Sequence, residues 1–266
     1  MESSNKLPPR QRWVVGNWKQ NLLRAEADAL SRTLAVGLGP AIIDDGKVQV
    51  GIAPTFVSLE STRPWTRPAG PLWLFSQNVA AQETGAFTGE IGPAMLLDAG
   101  ARGAIIGHSE RRKHYGEPDA LIANKVRGAL DAGLRVILCI GESLEIRRAG
   151  DHESHVISQL SIGLSHLSPE HIGDRLLIAY EPVWAIGTGV AATPEDAAAM
   201  HRRIRGWLLE HYSQPGADRS ILYGGSVKPA NADELLAAGD IDGFLVGGAS
   251  LSADSFLSII QSAATE

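Results

Sequence analysis

Short apolar runs alternate with longer amphipathic stretches along nearly the whole chain. The runs are Trp13-Val-Val-Gly-Asn-Trp18, Val48-Gln-Val-Gly-Ile-Ala53, Leu72-Trp-Leu-Phe75 and Gly103-Ala-Ile-Ile-Gly107. Four more follow: Arg135-Val-Ile-Leu-Cys-Ile140, Leu176-Leu-Ile-Ala-Tyr180, Ser220-Ile-Leu-Tyr223 and Gly243-Phe-Leu-Val-Gly247. Each is short, often β-branched and closed by Gly, Pro, Asn or His, as strands buried on both faces read.

The stretches between them carry helix signals. Thr193-Pro-Glu-Asp196 supplies a threonine cap, a proline in the first turn and two acids at the positive helix end. Behind it Ala197, Met200, Ile204, Trp207 and Leu208 recur at helical spacing. Pro118 to Ala132, stopped by Gly133, and Pro229 to Ala238, stopped by Gly239, predict two further helices.

Eight strands alternating with helices predict an α/β fold paired in parallel through right-handed crossovers, and this length fits a closed (β/α)8 barrel. An open doubly wound sheet is the competitor. It usually carries a glycine-rich dinucleotide loop after its first strand, where this chain reads Gly16-Asn-Trp-Lys19. No break in composition divides the chain, which predicts a flexible lead-in over 1–11 and one (β/α)8 barrel domain over 12–266.

Composition adds little to this picture: 44% of the 266 residues are hydrophobic and 20% charged, ordinary for a globular protein. The net charge of −6 speaks against nucleic acid or anionic membrane as a partner, yet leaves an anionic small molecule open. The segment from Met1 to Arg12 is polar and contains Pro8-Pro9, unlike a secretory signal, and no window approaches the roughly 18 apolar residues that span a bilayer. The single cysteine, Cys139, has no intrachain disulfide partner, which suits a reducing cytoplasm.

In a barrel of this type reactive side chains sit at the carboxyl ends of the strands. The first run ends in Asn17 and Lys19, the third in Gln77-Asn78, the fourth in His108, the fifth in Cys139 and Glu142, and the sixth in Glu181. The last two end in Gly224-Gly225-Ser226 and Gly247-Gly248. A lysine, a histidine and a glutamate therefore converge on one mouth, opposite two turns suited to an anion.

The segments Gly16-Asn-Trp-Lys19, Gly107-His-Ser-Glu-Arg-Arg112, Cys139-Ile-Gly-Glu142, Ala179-Tyr-Glu-Pro-Val-Trp-Ala-Ile-Gly-Thr-Gly189, Tyr223-Gly-Gly-Ser-Val227 and Val246-Gly-Gly-Ala-Ser-Leu251 resemble the triosephosphate isomerase family, in its order. Gln77-Asn78 and Gly85-Ala-Phe-Thr-Gly-Glu90 extend the match, which covers essentially the whole barrel.

The resemblance implies interconversion of dihydroxyacetone phosphate and D-glyceraldehyde 3-phosphate through an enediolate, a step of glycolysis and gluconeogenesis, without metal or other cofactor. By the family's acid–base assignment, Glu181 is the base and His108 the electrophile, kept neutral by the helix that begins after it. Lys19 supplies positive charge for the phosphate and the developing oxygen charge, with Asn17 as a neutral donor beside it. Gly187, Ser226, Gly247 and Gly248 grip the phosphate. The segment from Pro182 to Ala192 matches the family's lid, which excludes water from an intermediate prone to lose phosphate. Glu110 and Glu142 orient Lys19 and the loops, and Cys139 is a buried small side chain. The loop 85–90, with Thr88 near its tip, implies a homodimer.

Three positions depart from the family's common pattern: Gln20 in place of a methionine, Gly92 of a serine and Val190 of a lysine. The last two bear on subunit contact and hinge stiffness. The rival readings are a sister isomerase acting on a tetrulose phosphate, and a barrel that only binds ligands or partners.

Overall fold

The computed structural model describes residues 10–39, 48–185 and 192–265. Its strands are β1 (Arg12–Asn17), β2 (Val48–Ala53), β3 (Trp73–Ser76), β4 (Gly103–Ile106), β5 (Arg135–Ile140), β6 (Leu176–Tyr180), β7 (Ile221–Tyr223) and β8 (Gly243–Val246). They pair in parallel in sequence order, and β8 closes on β1 through Trp13↔Gly243 to Gly16↔Val246. The apolar runs thus become the staves of one closed (β/α)8 barrel. The open sheet is excluded.

Alternation along the strands separates two cores. Trp13, Val15, Ala53, Phe75, Ile105, Ile137, Cys139, Leu177, Ala179, Leu222 and Leu245 form the inner cluster, while Val14, Ile106, Val136, Leu138, Ile178, Tyr180, Phe244 and Val246 pack outward with the helices. Phe75 is the widest inner wedge. β-carbons on Gly51 and Gly103 would lie 2.8 and 2.4 Å from its ring, so glycine on both neighbouring strands makes room for it. Cys139 is fully buried in this layer, and burial, reinforced by Glu181, pushes its thiol well above the usual range.

The helix signals translate closely. Thr193 caps the helix Pro194–Ala217, its hydroxyl accepting the Asp196 amide at 3.1 Å. That helix breaks at Ser213 (φ 55°), two residues before Pro215. The helix Asp119–Asp131 follows Pro118 and ends before Gly133, whose φ is 94°. The helix expected from Pro229 starts later, spanning Ala232–Ala237. Asn231 takes the preceding turn instead: its side chain accepts from the Lys228 amide at 2.8 Å and donates to the Ser226 carbonyl at 3.0 Å.

Residues 1–9 of the expected lead-in lie outside the described residues. Arg10 is tied to the barrel, its Nε 2.7 Å from Asp242. No helix among the described residues is long and apolar enough to cross a membrane.

Candidate active site

Asn17 and Glu181 continue the inward alternation of their strands, after Trp13 and Val15 on β1 and after Leu177 and Ala179 on β6. Glu181 is only 2% exposed. His108 breaks its strand's parity, since Ile105 points inward and an unbroken β4 would turn residue 108 outward. Gly107, at φ 74°, redirects the chain. A side chain there would meet Arg112, the Cys139 carbonyl and Ile122, each at 3.2 Å, so conformation and space both call for glycine.

The redirected His108 becomes the cap of the helix Ser109–Tyr115, its Nδ1 accepting the Glu110 amide at 3.2 Å. An amide N–H meets only a lone pair, so Nδ1 is unprotonated and the ring's proton sits on Nε2. Nε2 points at Glu181 Oε1, 3.0 Å away. The Ser109 amide (2.9 Å) and hydroxyl (3.1 Å) also donate to the Glu181 carboxylate. Three donors therefore hold one buried anion. Ser109 was not singled out from the sequence; its place at a helix start directly after His108 was the available signal.

Lys19 adopts a left-handed conformation (φ 51°), a cost of roughly 1–3 kcal/mol for a non-glycine residue. Two side chains secure it: Asn17 Oδ1 accepts the Lys19 amide at 3.0 Å, and Gln77 Nε2 donates to the Lys19 carbonyl at 2.8 Å. The ammonium lies 2.6 Å from Glu110. Burial raises the Glu110 carboxyl, but the hydrogen bond from Lys19 and the neighbouring positive charges outweigh it, leaving that acid below its ordinary range. Arg111 turns away to Glu117, which also pairs with buried Lys125 at 2.6 Å.

Asn17, Lys19, His108 and Glu181 share one cavity of about 390 Å³ with the turns Gly224–Ser226 and Gly247–Gly248. That volume suits a small ligand. No heavy atom lies within 4 Å of where a Gly248 β-carbon would stand, and one on Gly247 would come 3.5 Å from Lys19 Cε. Lys228 lines the same wall, exposed and without an ion pair among the described residues. Gly187 and Val190 lie outside the described residues, as does the tip of the expected lid.

Both flanks of that segment are anchored. Trp184 Nε1 donates to Glu142 at 2.8 Å and the Tyr180 hydroxyl donates to it at 3.1 Å. Arg147 bridges Glu142 (3.2 Å) and Asp196 (2.6 Å), with its guanidinium 4.4 Å from the Trp184 ring. Burial, together with the Glu142 charge, drives the Tyr180 phenol far above its usual range, so it remains a donor.

Gly92 has a local reason. A β-carbon there would fall 2.3 Å from the Glu83 carbonyl, so this backbone has no room for serine. Among the described residues, no group of three or more His, Cys, Asp or Glu side chains could hold a metal.

The sequence profile of the triosephosphate isomerase family matches residues 12–263. Curated relatives under that name include one from Chloroflexus aurantiacus, 49% identical over 93% of this chain and 97% of its own length. One from Roseiflexus sp. is 50% identical over 93% and 96%, and one from Chlorobium phaeovibrioides 45% identical over 96% and 99%. The chain therefore belongs to the triosephosphate isomerase family.

Proposed function

We propose that Glu181, His108 and Lys19 carry the interconversion of dihydroxyacetone phosphate and D-glyceraldehyde 3-phosphate that family membership assigns to this chain. The observation that carries this reading is the meeting of the Glu181 carboxylate and the His108 Nε2 proton at 3.0 Å, in the cavity that also holds Lys19. Substrate oxygen takes the Nε2 hydrogen bond, and Glu181 leaves Ser109 to remove the proton from the adjacent carbon. The electron pair forms an enediolate, stabilised by Lys19 and the His108 donor. His108 gives its Nε2 proton to the former carbonyl oxygen and takes the hydroxyl proton from the adjacent oxygen, which becomes the new carbonyl. The proton on Glu181 meanwhile returns to the neighbouring carbon. Ser226, Gly247, Gly248 and Gly187 hold the phosphate, and the anchored lid segment closes over it.

A coupled assay with both three-carbon phosphates tests the activity. The Glu181→Asp variant draws the base back by about 1 Å and lowers kcat roughly 10²-fold with little change in KM. Equal loss in both parameters contradicts the base assignment. Preference for a four-carbon phosphate favours the tetrulose isomerase, and a chain that turns over neither triose favours a binding scaffold.

The proposal extends to a homodimer. A second cavity of about 590 Å³ adjoins the first through Asn17, Lys19 and His108, and Phe56 and Tyr115 wall it. The loop 85–90 is exposed on the same chain, Phe87 by 45%. A second copy's loop would fill the first copy's cavity and stiffen Lys19. Light scattering on wild type and Thr88→Arg checks this: the variant should run as a monomer with reduced kcat, and a wild-type monomer refutes it. The buried single thiol supports a cytoplasmic location.

A further inference from the structure

We propose that the amino-terminal mouth of the barrel is a second ligand site, built for a small organic anion with a flat apolar part. A cavity of about 420 Å³ opens there, at the opposite end from Glu181, among the first residues of the strands: Trp13, Gln49, Trp73, Arg135 and Leu176. Its volume lies within the range of small-molecule sites.

The floor is apolar and aromatic. Trp13 and Trp73 stand 5.6 Å apart at 51°, with Leu176 beside them. Arg135 lies across both indoles, 5.3 and 4.6 Å from their centroids. Among the described residues its one carboxylate partner is the exposed Asp174 at 3.2 Å, whose carbonyl also accepts from it at 2.6 Å. The Asp174 carboxylate stays largely in water, which weakens this ion pair. Arg219 lines the same cavity and is half-buried. Its Nε donates to the Pro215 carbonyl at 2.7 Å, and no carboxylate among the described residues lies within ion-pair distance. Burial pulls its pKa below the ordinary arginine value, by more than the nearby Asp218 and Asp174 raise it.

Asp174 and Asp218 line the same cavity and act on Arg219, but neither lies within ion-pair distance of it, and Arg10 is already matched by Asp242 and Asp240. An anionic group between Arg219 and Arg135 would offset the desolvation of Arg219. A flat ring attached to it would cover the indole edges.

The test is calorimetric titration of the full chain with adenosine monophosphate and, separately, with inorganic phosphate. Saturable binding of the nucleotide is expected, tighter than that of phosphate. Arg219→Glu should weaken it about tenfold or more, Arg219→Lys should restore most of it, and Lys19→Ala should leave it unchanged. Isomerase turnover should be the same in wild type and both Arg219 variants. If Arg219→Glu does not fold, Arg135→Gln reads the same loss. No saturation at millimolar nucleotide, equal affinity in Arg219→Glu, or equal affinity for phosphate alone overturns the proposal. Loss of binding in Lys19→Ala overturns it too, by placing the anion in the catalytic cavity.

Discussion

Gly141 touches no substrate, yet its replacement by alanine should disable the enzyme. The β-carbon would lie 1.8 Å from the Glu181 carbonyl oxygen and 2.8 Å from its carbonyl carbon. Relief to the 3.0 Å limit of real contacts requires about 1.2 Å of movement, the difference between 3.0 and 1.8. Gly141 yields little, because its amide is pinned to buried Gln159 at 2.8 Å. The end of β6 must move instead, and Glu181 with it. Displacement of a reacting group by about 1 Å can cost roughly 10²-fold in rate. Ser226, Gly247 and Gly248 follow other strands, so KM should change little. Steady-state kinetics on Gly141→Ala, with a thermal melt to confirm folding, should therefore show kcat about 10²-fold lower. Gly206→Ala is the control: nothing lies near its β-carbon on the exposed face of a helix, so kcat should hold while stability rises by about 1 kcal/mol. A folded Gly141→Ala variant with wild-type kcat would refute the claim that this glycine fixes the base.

His201 should govern part of the acid limit. It is fully buried between Tyr180 and Tyr223, donates Nδ1–H to the Asp240 carbonyl at 3.2 Å and leaves Nε2 without a partner, so burial lowers its pKa to about 3. The unfolded chain takes up a proton below pH ~6.5 that the folded chain refuses until pH falls to about 3. Stability from this group is whole above that window and lost through it, at about 1.4 kcal/mol per pH unit. Urea melts should give His201→Asn about 3 kcal/mol less loss than wild type between pH ~6.5 and ~4.5, and identical slopes would contradict this assignment. Lys228→Ala should raise KM for the phosphorylated substrate about two- to fivefold with kcat intact. That difference should vanish at ~1 M salt, where screening acts within about 3 Å, and its persistence there would exclude a purely electrostatic role.

How much of this was legible beforehand depended on what each residue answers to. The strands emerged within a residue or two, because burial on both faces leaves a continuous apolar run. Asn17 and Glu181 were readable as the last inward positions of such runs. His108 was harder: strict alternation points it outward, and only the left-handed turn at Gly107 brings it in. Ser109 acts through two hydrogen bonds to Glu181 and Gln77 through one to the Lys19 carbonyl, contacts that hydrophobic periodicity does not encode. Pro229 misled as a helix start because Asn231 competes for the same turn through its side-chain amide. Gly92, read from the sequence as bearing on subunit contact, has a nearer cause that no pattern shows: the Glu83 carbonyl occupies the space of its β-carbon.

The cysteine inside the barrel turns the chain into its own reporter. Cys139 is the one thiol in the sequence, fully enclosed and held in its unreactive protonated form. A thiol reagent in solution meets no target while the staves stay closed. Each labelled chain therefore records one opening of the barrel, and the rate of mass gain under native conditions clocks that opening without any engineered probe.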